Sequence, residues 1–433
     1  MNNYELEKVP KKDRRNWLTM FSVLIAIGVD LSSIMLGKEI SSGMSMESAI
    51  FSVIIGSFIV AILCTVCALV GSGTHLSTAM ITKYVFGKKG AKIFSLVIGL
   101  SLLGWFGVQV GFFAQNAQTI LLDMFNINIS TGILSLIGGI LMMTTAVFGY
   151  RAIEKLSVLS VPFLLAIILF TLYQAVTKYT YSNSLVENTM SSASATSLVI
   201  SIFIVGATTT PDISRWAKSK MDAIISTFFG ILIGNSFMIV IAIVLTSYMN
   251  NSDIMKIFII LGLGIPGILT LTLAQWTTNT TNLYSASLGI SLIFSKMSKR
   301  NLTIILGLIA TSLAVFGIYD NFITFLNILA IIIAPIGGIY SAEYFVIKEK
   351  FKMIEENKEA NSIVIRSMIA WGIGILITYL TTGNQQGAYI TLTGIPPLDG
   401  FIAGFIVQVI ISFVFKSIKS EKIDKHKVNG KAV

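Results

Sequence analysis

Residues 17–36 read WLTMFSVLIAIGVDLSSIML, an apolar run interrupted near its middle by Gly28-Val29-Asp30-Leu31-Ser32-Ser33. A membrane-crossing helix needs roughly 20 mostly apolar residues, and this run has the length. It does not have the monotony. A glycine, an acid and two serines at membrane depth predict a broken helix, whose freed backbone carbonyls can hold a cation. The competing explanation of Gly28 is close helix packing. Asp30 is costly at that depth unless it meets water, a cation, a proton or a partner. Lys38, two turns on, is placed to snorkel toward the surface, which leaves Asp30 short of a partner.

The rest of the chain repeats the apolar theme. Of 433 residues, 54% are apolar and 12% charged, where soluble domains are about a quarter charged. With a mean hydropathy of +0.81, a soluble domain and a disordered chain are both excluded. Long continuous runs, without alternating polarity, exclude a membrane barrel. Twelve spans are predicted, at 17–36, 48–70, 91–121, 129–150, 155–176, 193–212, 222–247, 257–290, 302–318, 321–346, 363–382 and 397–417. This is an all-α membrane protein with twelve transmembrane helices.

Charge sets the orientation. With the N-terminal segment 1–16 in the cytoplasm, all of the 31 Lys+Arg except Lys38, Lys178 and Lys256 fall on the cytoplasmic side. That satisfies the positive-inside rule and places both termini, the loop 347–362 and the basic tail 418–433 inside a cell membrane. The tail is expected to be a mobile segment beside anionic lipid. The net charge of +10 is thereby a topology signal, and no nucleic-acid partner is expected. Cys64 and Cys67 stand alone in one apolar run and read as packing residues.

Three other spans depart from plain hydrophobicity. The third carries Gly104-Trp105-Phe106-Gly107-Val108-Gln109, which places Trp105 and Gln109 on one helix face. An aromatic plane beside an amide suits a planar, hydrogen-bonding solute, and equally a packing tryptophan with an interhelical amide bond. The sixth carries Phe203-Ile204-Val205-Gly206-Ala207-Thr208-Thr209-Thr210-Pro211-Asp212, which predicts an unwound segment lining a cavity. Asp212 and Arg215 read as a structural pair at its cytoplasmic end. The eighth carries Ala274-Gln275-Trp276-Thr277-Thr278-Asn279-Thr280-Thr281-Asn282, with hydroxyls for a hard cation and amides for a solute. First and sixth, third and eighth are each five spans apart. That spacing predicts an inverted five-plus-five repeat over 17–346, with a midplane site, and two additional helices over 363–417.

Gly104–Val108, Trp276–Asn279 with Leu283-Tyr284, Asp212–Ser219, Pro335–Gly338 and Ala342-Glu343-Tyr344 together resemble the nucleobase:cation symporter-1 family, its bacterial cytosine permease branch in particular. The resemblance spans about residues 20–345. It implies a leucine-transporter-type fold and secondary active import of a nucleobase, cytosine first, with sodium as the co-transported cation and a proton as the alternative. It implies that Trp105 and Phe203 stack on the substrate ring, with Gly206 beside them. It gives Gln109 and one of Asn279 and Asn282 as hydrogen-bonding groups. Gly28 and Leu31 match carbonyl donors to sodium; Ala274, Thr277 and Thr278 match its eighth-span ligands. Leu102 and Ile202 fall where the cytosine permease branch carries polar contacts, and Gln109 where it carries glycine. Asp30 is outside the pattern and stands as a coupling acid or as the partner of a substrate amino group.

Other rings remain as alternatives: purines, hydantoin, allantoin or a thiamine-precursor pyrimidine. An amino-acid carrier would want glycine-rich helix starts facing a carboxylate. An enzyme is disfavoured, since His75 and His426 lie outside the bundle without acids or cysteines at ligand spacing. A channel would want a filter loop or ring of charge. No resident cofactor and no obligatory protein partner are expected; the partners are the small solute and the lipid bilayer.

Overall fold

The computed structural model describes residues 7–28, 30–148, 150–181, 189–251, 253–291, 293–294, 296–356, 358–382 and 389–429. The described chain is helical, apart from an isolated backbone bridge between Arg15 and Ala217. The first five spans are α1 (Trp17–Gly28) with α2 (Leu31–Gly43), α3 (Met46–Thr74) followed by the short α4 (Thr78–Val85), α5 (Gly87–Phe125), α6 (Thr131–Phe148) and α7 (Tyr150–Lys178). The next five are α8 (Ser192–Thr209) with α9 (Pro211–Ser214), α10 (Lys220–Met249), α11 (Ile254–Ile260) with α12 (Gly264–Ser291), α13 (Lys299–Val315) and α14 (Phe322–Ala342), which ends in a π-turn at Glu343–Ile347. The short α15 (Glu349–Glu355) precedes α16 (Ile365–Thr382) and α17 (Pro396–Asn429). Seven helices of the described chain are long and apolar enough to cross a membrane unaided. The broken first span and the polar α12 fall outside that set because of the residues that make them unusual.

The packing has the symmetry of an inverted repeat. Helix α1 packs on α10 as its counterpart α8 packs on α3, and α5 packs on α13 as α12 packs on α6. Counterparts also meet directly, α3 with α10, α5 with α12 and α6 with α13. Helix α5 has 39 residues, about 58 Å of helix against a hydrocarbon core of ~30 Å. It therefore extends well past the apolar layer.

The first break lies where expected. Helix α1 ends at Gly28, Asp30 is extended (φ −134°, ψ 151°), and α2 begins at Leu31. Gly28 also serves close packing, since a Cβ there would lie 2.3 Å from the Gly234 carbonyl carbon of α10. Overpacking of this kind costs about 1–3 kcal/mol. Gly28→Ala is expected to lower the melting temperature in detergent, as measured by thermal scan.

Two expectations need correction. The sixth span is not unwound between Phe203 and Gly206; α8 is helical through Thr209. Pro211 occupies the first turn of α9, where its missing N–H is not needed. The Thr209 and Thr210 hydroxyls donate back to the carbonyls of Val205 and Gly206 at 2.8 Å each, an arrangement compatible with continuous helix. The span predicted at 257–290 is two helices, divided at Leu261–Leu263 around Gly262 with its positive φ of 74°. At the C-terminus the backbone of 418–429 continues α17, and residues 430–433 lie outside the described residues.

The basic loops gather at one end of the bundle. Val9 N–H donates to the His75 carbonyl (3.1 Å), Arg15 N–H to Trp216 (2.6 Å) and Lys218 N–H to Arg15 (2.9 Å). Trp17 N–H donates to the Asp222 carboxylate at 3.0 Å. The segment before α1 is thus laid across the ends of α3 and α10. Burial, helped by Arg14 and Lys8, lowers the pKa of His75, at the end of α3, against the opposing bond to the Arg215 carbonyl.

Candidate functional site

A cavity of about 230 Å³ lies between the α1/α2 break and helices α5, α8, α10 and α12. One water's share of liquid volume is ~30 Å³, so this is space on the scale of a compact ring. Gly28, Asp30, Ser32 and Ser33 come from the break. Helix α5 contributes Leu102, Trp105 and Gln109; α8 contributes Ile202, Phe203, Gly206 and Thr209. Helix α10 contributes Asn235, and α12 contributes Thr278 and Asn282. Leu24, Thr210 and Ile213 carry the lining toward the basic end of the bundle.

Trp105 is fixed from behind. Its ring meets Phe325 edge-on (5.3 Å, 83°) and Phe322 likewise (6.2 Å, 70°), and Phe322 in turn meets Phe112 (5.2 Å, 80°). These edge-to-face contacts are the preferred aromatic geometry, and they orient the indole plane before any solute arrives. Across the cavity, the Phe203 ring folds over Gly206. A Cβ at Gly206 would lie 2.7 Å from that ring, so only glycine gives it this position.

Asp30 is not short of partners, contrary to the expectation from sequence. The Gln109 Nε2 donates to both of its carboxylate oxygens, at 2.9 and 3.2 Å. The Thr278 hydroxyl donates to it at 3.4 Å, and the Ser32 hydroxyl also donates to it. Residues from three helices therefore converge on one acid. Gln109 is fully buried, and its Oε1 has no hydrogen-bond partner among the described residues. A buried acceptor without a donor costs about 1–3 kcal/mol. The Asp30 carboxylate gives the cavity lining an acceptor, and the group that suits it is a donor: a ring N–H, an amine or a water.

The two asparagines separate cleanly. Asn282 lines the cavity. Asn279 is buried, and its Nδ2 donates to the Phe106 carbonyl and to the Met142 sulfur, each at 3.2 Å. Asn279 therefore joins α12 to α5 and α6. Asn282→Ala is expected to weaken substrate affinity with little change in melting temperature. Asn279→Ala is expected to lower the melting temperature first, because a buried interhelical bond is lost. Measured transport and thermal scans on both variants separate the two roles. Trp276 is likewise structural, its indole N–H donating to Thr145 at 2.9 Å.

The oxygens assigned to a cation come from two places. Gly28 O accepts from Asp30 N–H (3.0 Å) and Ala274 O from the Thr277 hydroxyl (2.8 Å). The Gly28 carbonyl, at a helix end, keeps a second lone pair, whereas Ala274 lies inside α12, where its carbonyl also faces the N–H of Thr278. Leu31 opens α2. The Thr278–Asp30 contact joins the break to α12. Among the described residues no group of three His, Cys, Asp or Glu could form a multivalent metal site. A donor set of carbonyls and hydroxyls with one carboxylate suits a hard monovalent cation better than zinc or iron.

Asn235 has no counterpart in the sequence reading. It is buried, faces the cavity and donates to the Ser57 hydroxyl at 3.1 Å. Its signal was an amide inside an otherwise apolar span. Asp212 accepts from the Thr78 N–H at 2.7 Å, which joins the start of α9 to α4; its neighbours Thr210 and Ile213 line the cavity and it does not.

Residues 8–396 match the family of permeases for cytosine/purines, uracil, thiamine and allantoin. The cytosine permease of Escherichia coli K12 is 27% identical over 416 residues, covering 95% of this chain and 94% of that protein. The cytosine permease of Escherichia coli O157:H7 matches over the same length with the same identity. Among solved structures, Mhp1, a nucleobase-cation-symport-1 family transporter in a closed conformation with bromovinylhydantoin bound, aligns with a TM-score of 0.75 at 16% identity, over 93% of each chain. Mhp1 in its inward-facing conformation aligns with a TM-score of 0.80, over 95% of this chain and 93% of that one. The fold is therefore of the leucine-transporter type, the protein is a multi-pass membrane transporter and not an enzyme, and the chain belongs to the cytosine/purine permease family of nucleobase:cation symporters.

Proposed function

We propose that this permease imports a planar nucleobase, cytosine first, by sodium symport, with both termini in the cytoplasm. The observation that carries the reading is one cavity bounded by Trp105, Phe203, Gln109 and Asn282, with Asp30 and Thr278 at its edge. The two aromatic side chains stack on the ring. The Asp30 carboxylate accepts from ring N–H and amino groups, and the Asn282 amide reads a further position. Cytosine offers both kinds of donor. Discrimination follows from the cost of leaving such groups unpaired.

Sodium takes the carbonyls of Gly28, Leu31 and Ala274 with the hydroxyls of Thr277 and Thr278. Its site shares the α1/α2 break with the substrate site. Each ligand then favours the arrangement of the break that the other needs, and each raises the other's affinity. Rocking of the helix pairs about this midplane site gives alternating access.

The test is uptake of radiolabelled cytosine into proteoliposomes with and without an inward sodium gradient. Accumulation above equilibrium, dependent on sodium, supports the reading. Equal uptake without the gradient removes sodium from it. A second reading is favoured by the place of an ionisable acid, Asp30, in the cavity lining: the acid carries a proton as the coupling ion, against the pull of three donors that stabilise its charged form. Accumulation driven by an inward proton gradient in sodium-free buffer selects that reading. Failure with cytosine alongside accumulation of a purine, hydantoin, allantoin or thiamine-precursor pyrimidine moves the substrate within the class.

A further inference from the structure

A second and larger cavity, of about 1050 Å³, opens at the basic end of the bundle between the π-turn after α14, α15 and the end of α17. It shares no residue with the ring site. Its charge is unbalanced in a particular way. Glu343 is fully buried and takes Arg366 (3.3 Å), Gln408 Nε2 (3.2 Å) and the Lys350 N–H (2.9 Å). Glu349 takes Arg366 at 2.7 Å and Lys350 at 3.3 Å. Burial alone raises the Glu349 pKa, but the bond and charge of Arg366, with Lys350, outweigh it and hold the carboxyl below its usual range. These acids are thus already matched.

Lys220, Lys348, Lys352 and Lys416 also line the cavity, and none makes an ion pair among the described residues. Glu355 is the one other acid in the lining. The Ser412 side chain at the wall is buried, and its hydroxyl has no hydrogen-bond partner among the described residues. The rim is apolar and outward-facing: Phe345 is 38% exposed, Phe413 55% and Phe415 46%. A soluble anion site has no use for exposed phenylalanines. A phosphate at the foot of acyl chains has use for both features, because it places charge among the lysines and hydrocarbon along the rings.

We propose that this cavity holds the phosphate headgroup of an anionic phospholipid from the surrounding leaflet, with Lys220, Lys352 and Lys416 as its principal charge partners. A lipid seated there bridges the loop after α14 to α17, next to the Glu343–Arg366 cluster.

The experiment is a titration of phosphatidylglycerol against the full-length protein by native mass spectrometry, with phosphatidylcholine as the neutral reference. A variant carrying Lys220→Gln, Lys352→Gln and Lys416→Gln keeps the side-chain stems, and a triple Lys→Arg variant keeps the charge. Each lysine near a charged headgroup is worth roughly fivefold in affinity. The Gln triple is therefore expected to bind phosphatidylglycerol roughly a hundredfold more weakly than the parent. The Arg triple should stay within about threefold of the parent, and phosphatidylcholine should bind alike to all three. Added salt should weaken the parent and hardly affect the Gln triple. Equal binding of the two lipids by the parent, or equal phosphatidylglycerol binding by parent and Gln triple, overturns the proposal. So does displacement of the lipid by millimolar glycerol phosphate, which would assign the cavity to a soluble phosphate. If the Gln triple does not fold, as judged by thermal scan, the single Lys352→Gln and Lys416→Gln variants carry the same test at about fivefold each.

Discussion

Trp105→Ala is expected to raise the half-saturating concentration for nucleobase uptake by roughly 5- to 150-fold. A base stacked on an aromatic side chain is worth about 1–3 kcal/mol by alanine substitution, and 1.4 kcal/mol is a factor of ten. The indole is oriented by Phe322 and Phe325 before binding, so little of the stacking energy is spent on ordering it. The measurement is concentration-dependent uptake in proteoliposomes. Trp105→Phe should recover much of the affinity, since a smaller aromatic face remains. An unaltered half-saturation in Trp105→Ala would remove the tryptophan from the ring site and return it to the packing role that sequence equally allowed. Loss of the three-ring contact also has a structural cost, so the variant's melting temperature must be measured alongside.

Asp30→Asn is expected to weaken uptake of a ring bearing an exocyclic amine by roughly 10- to 150-fold and to affect an amine-free ring far less. A hydrogen bond to a charged group contributes about 1.5–3 kcal/mol, and asparagine removes the charge at nearly constant shape. The comparison of cytosine with uracil by competition for labelled uptake reads this directly. The same variant tests the proton reading. With no titratable group at position 30, a proton-driven component should disappear and the pH profile should flatten, while a sodium-driven component should keep its dependence on sodium. Unchanged transport of both rings with an unchanged pH profile would exclude Asp30 from the mechanism.

The helices that carry the site were legible because membrane-embedded polarity is expensive. Gly28 followed by Asp30 and two serines announced the first break, and the polar run from Gln275 to Asn282 announced α12. The partners of Asp30 were not legible. Gln109 and Thr278 lie 79 and 248 positions away, and no local pattern reports such a contact. The sixth span misled for a definable reason. Threonine, glycine and proline read as unwinding, yet hydroxyls that bond back to carbonyls four residues earlier are compatible with helix. The division at Gly262 was hidden by its apolar neighbours Leu261 and Leu263. Asn279 and Asn282 are three apart, close enough in helical angle that sequence left the choice between them open. The packing separates them in place: Asn279 bonds to Phe106 and Met142, and Asn282 lines the cavity.

The strap before α1 has a mechanical consequence. Four hydrogen bonds tie residues 9–17 to the end of α3 and to the turn before α10 and its first residues. At about 0.5–1.5 kcal/mol each, moving α1 alone would cost roughly 2–6 kcal/mol. Turning α1, α3 and α10 together costs none of it. The half of the broken span that precedes Gly28 is therefore clamped to its neighbours like a blade in a handle.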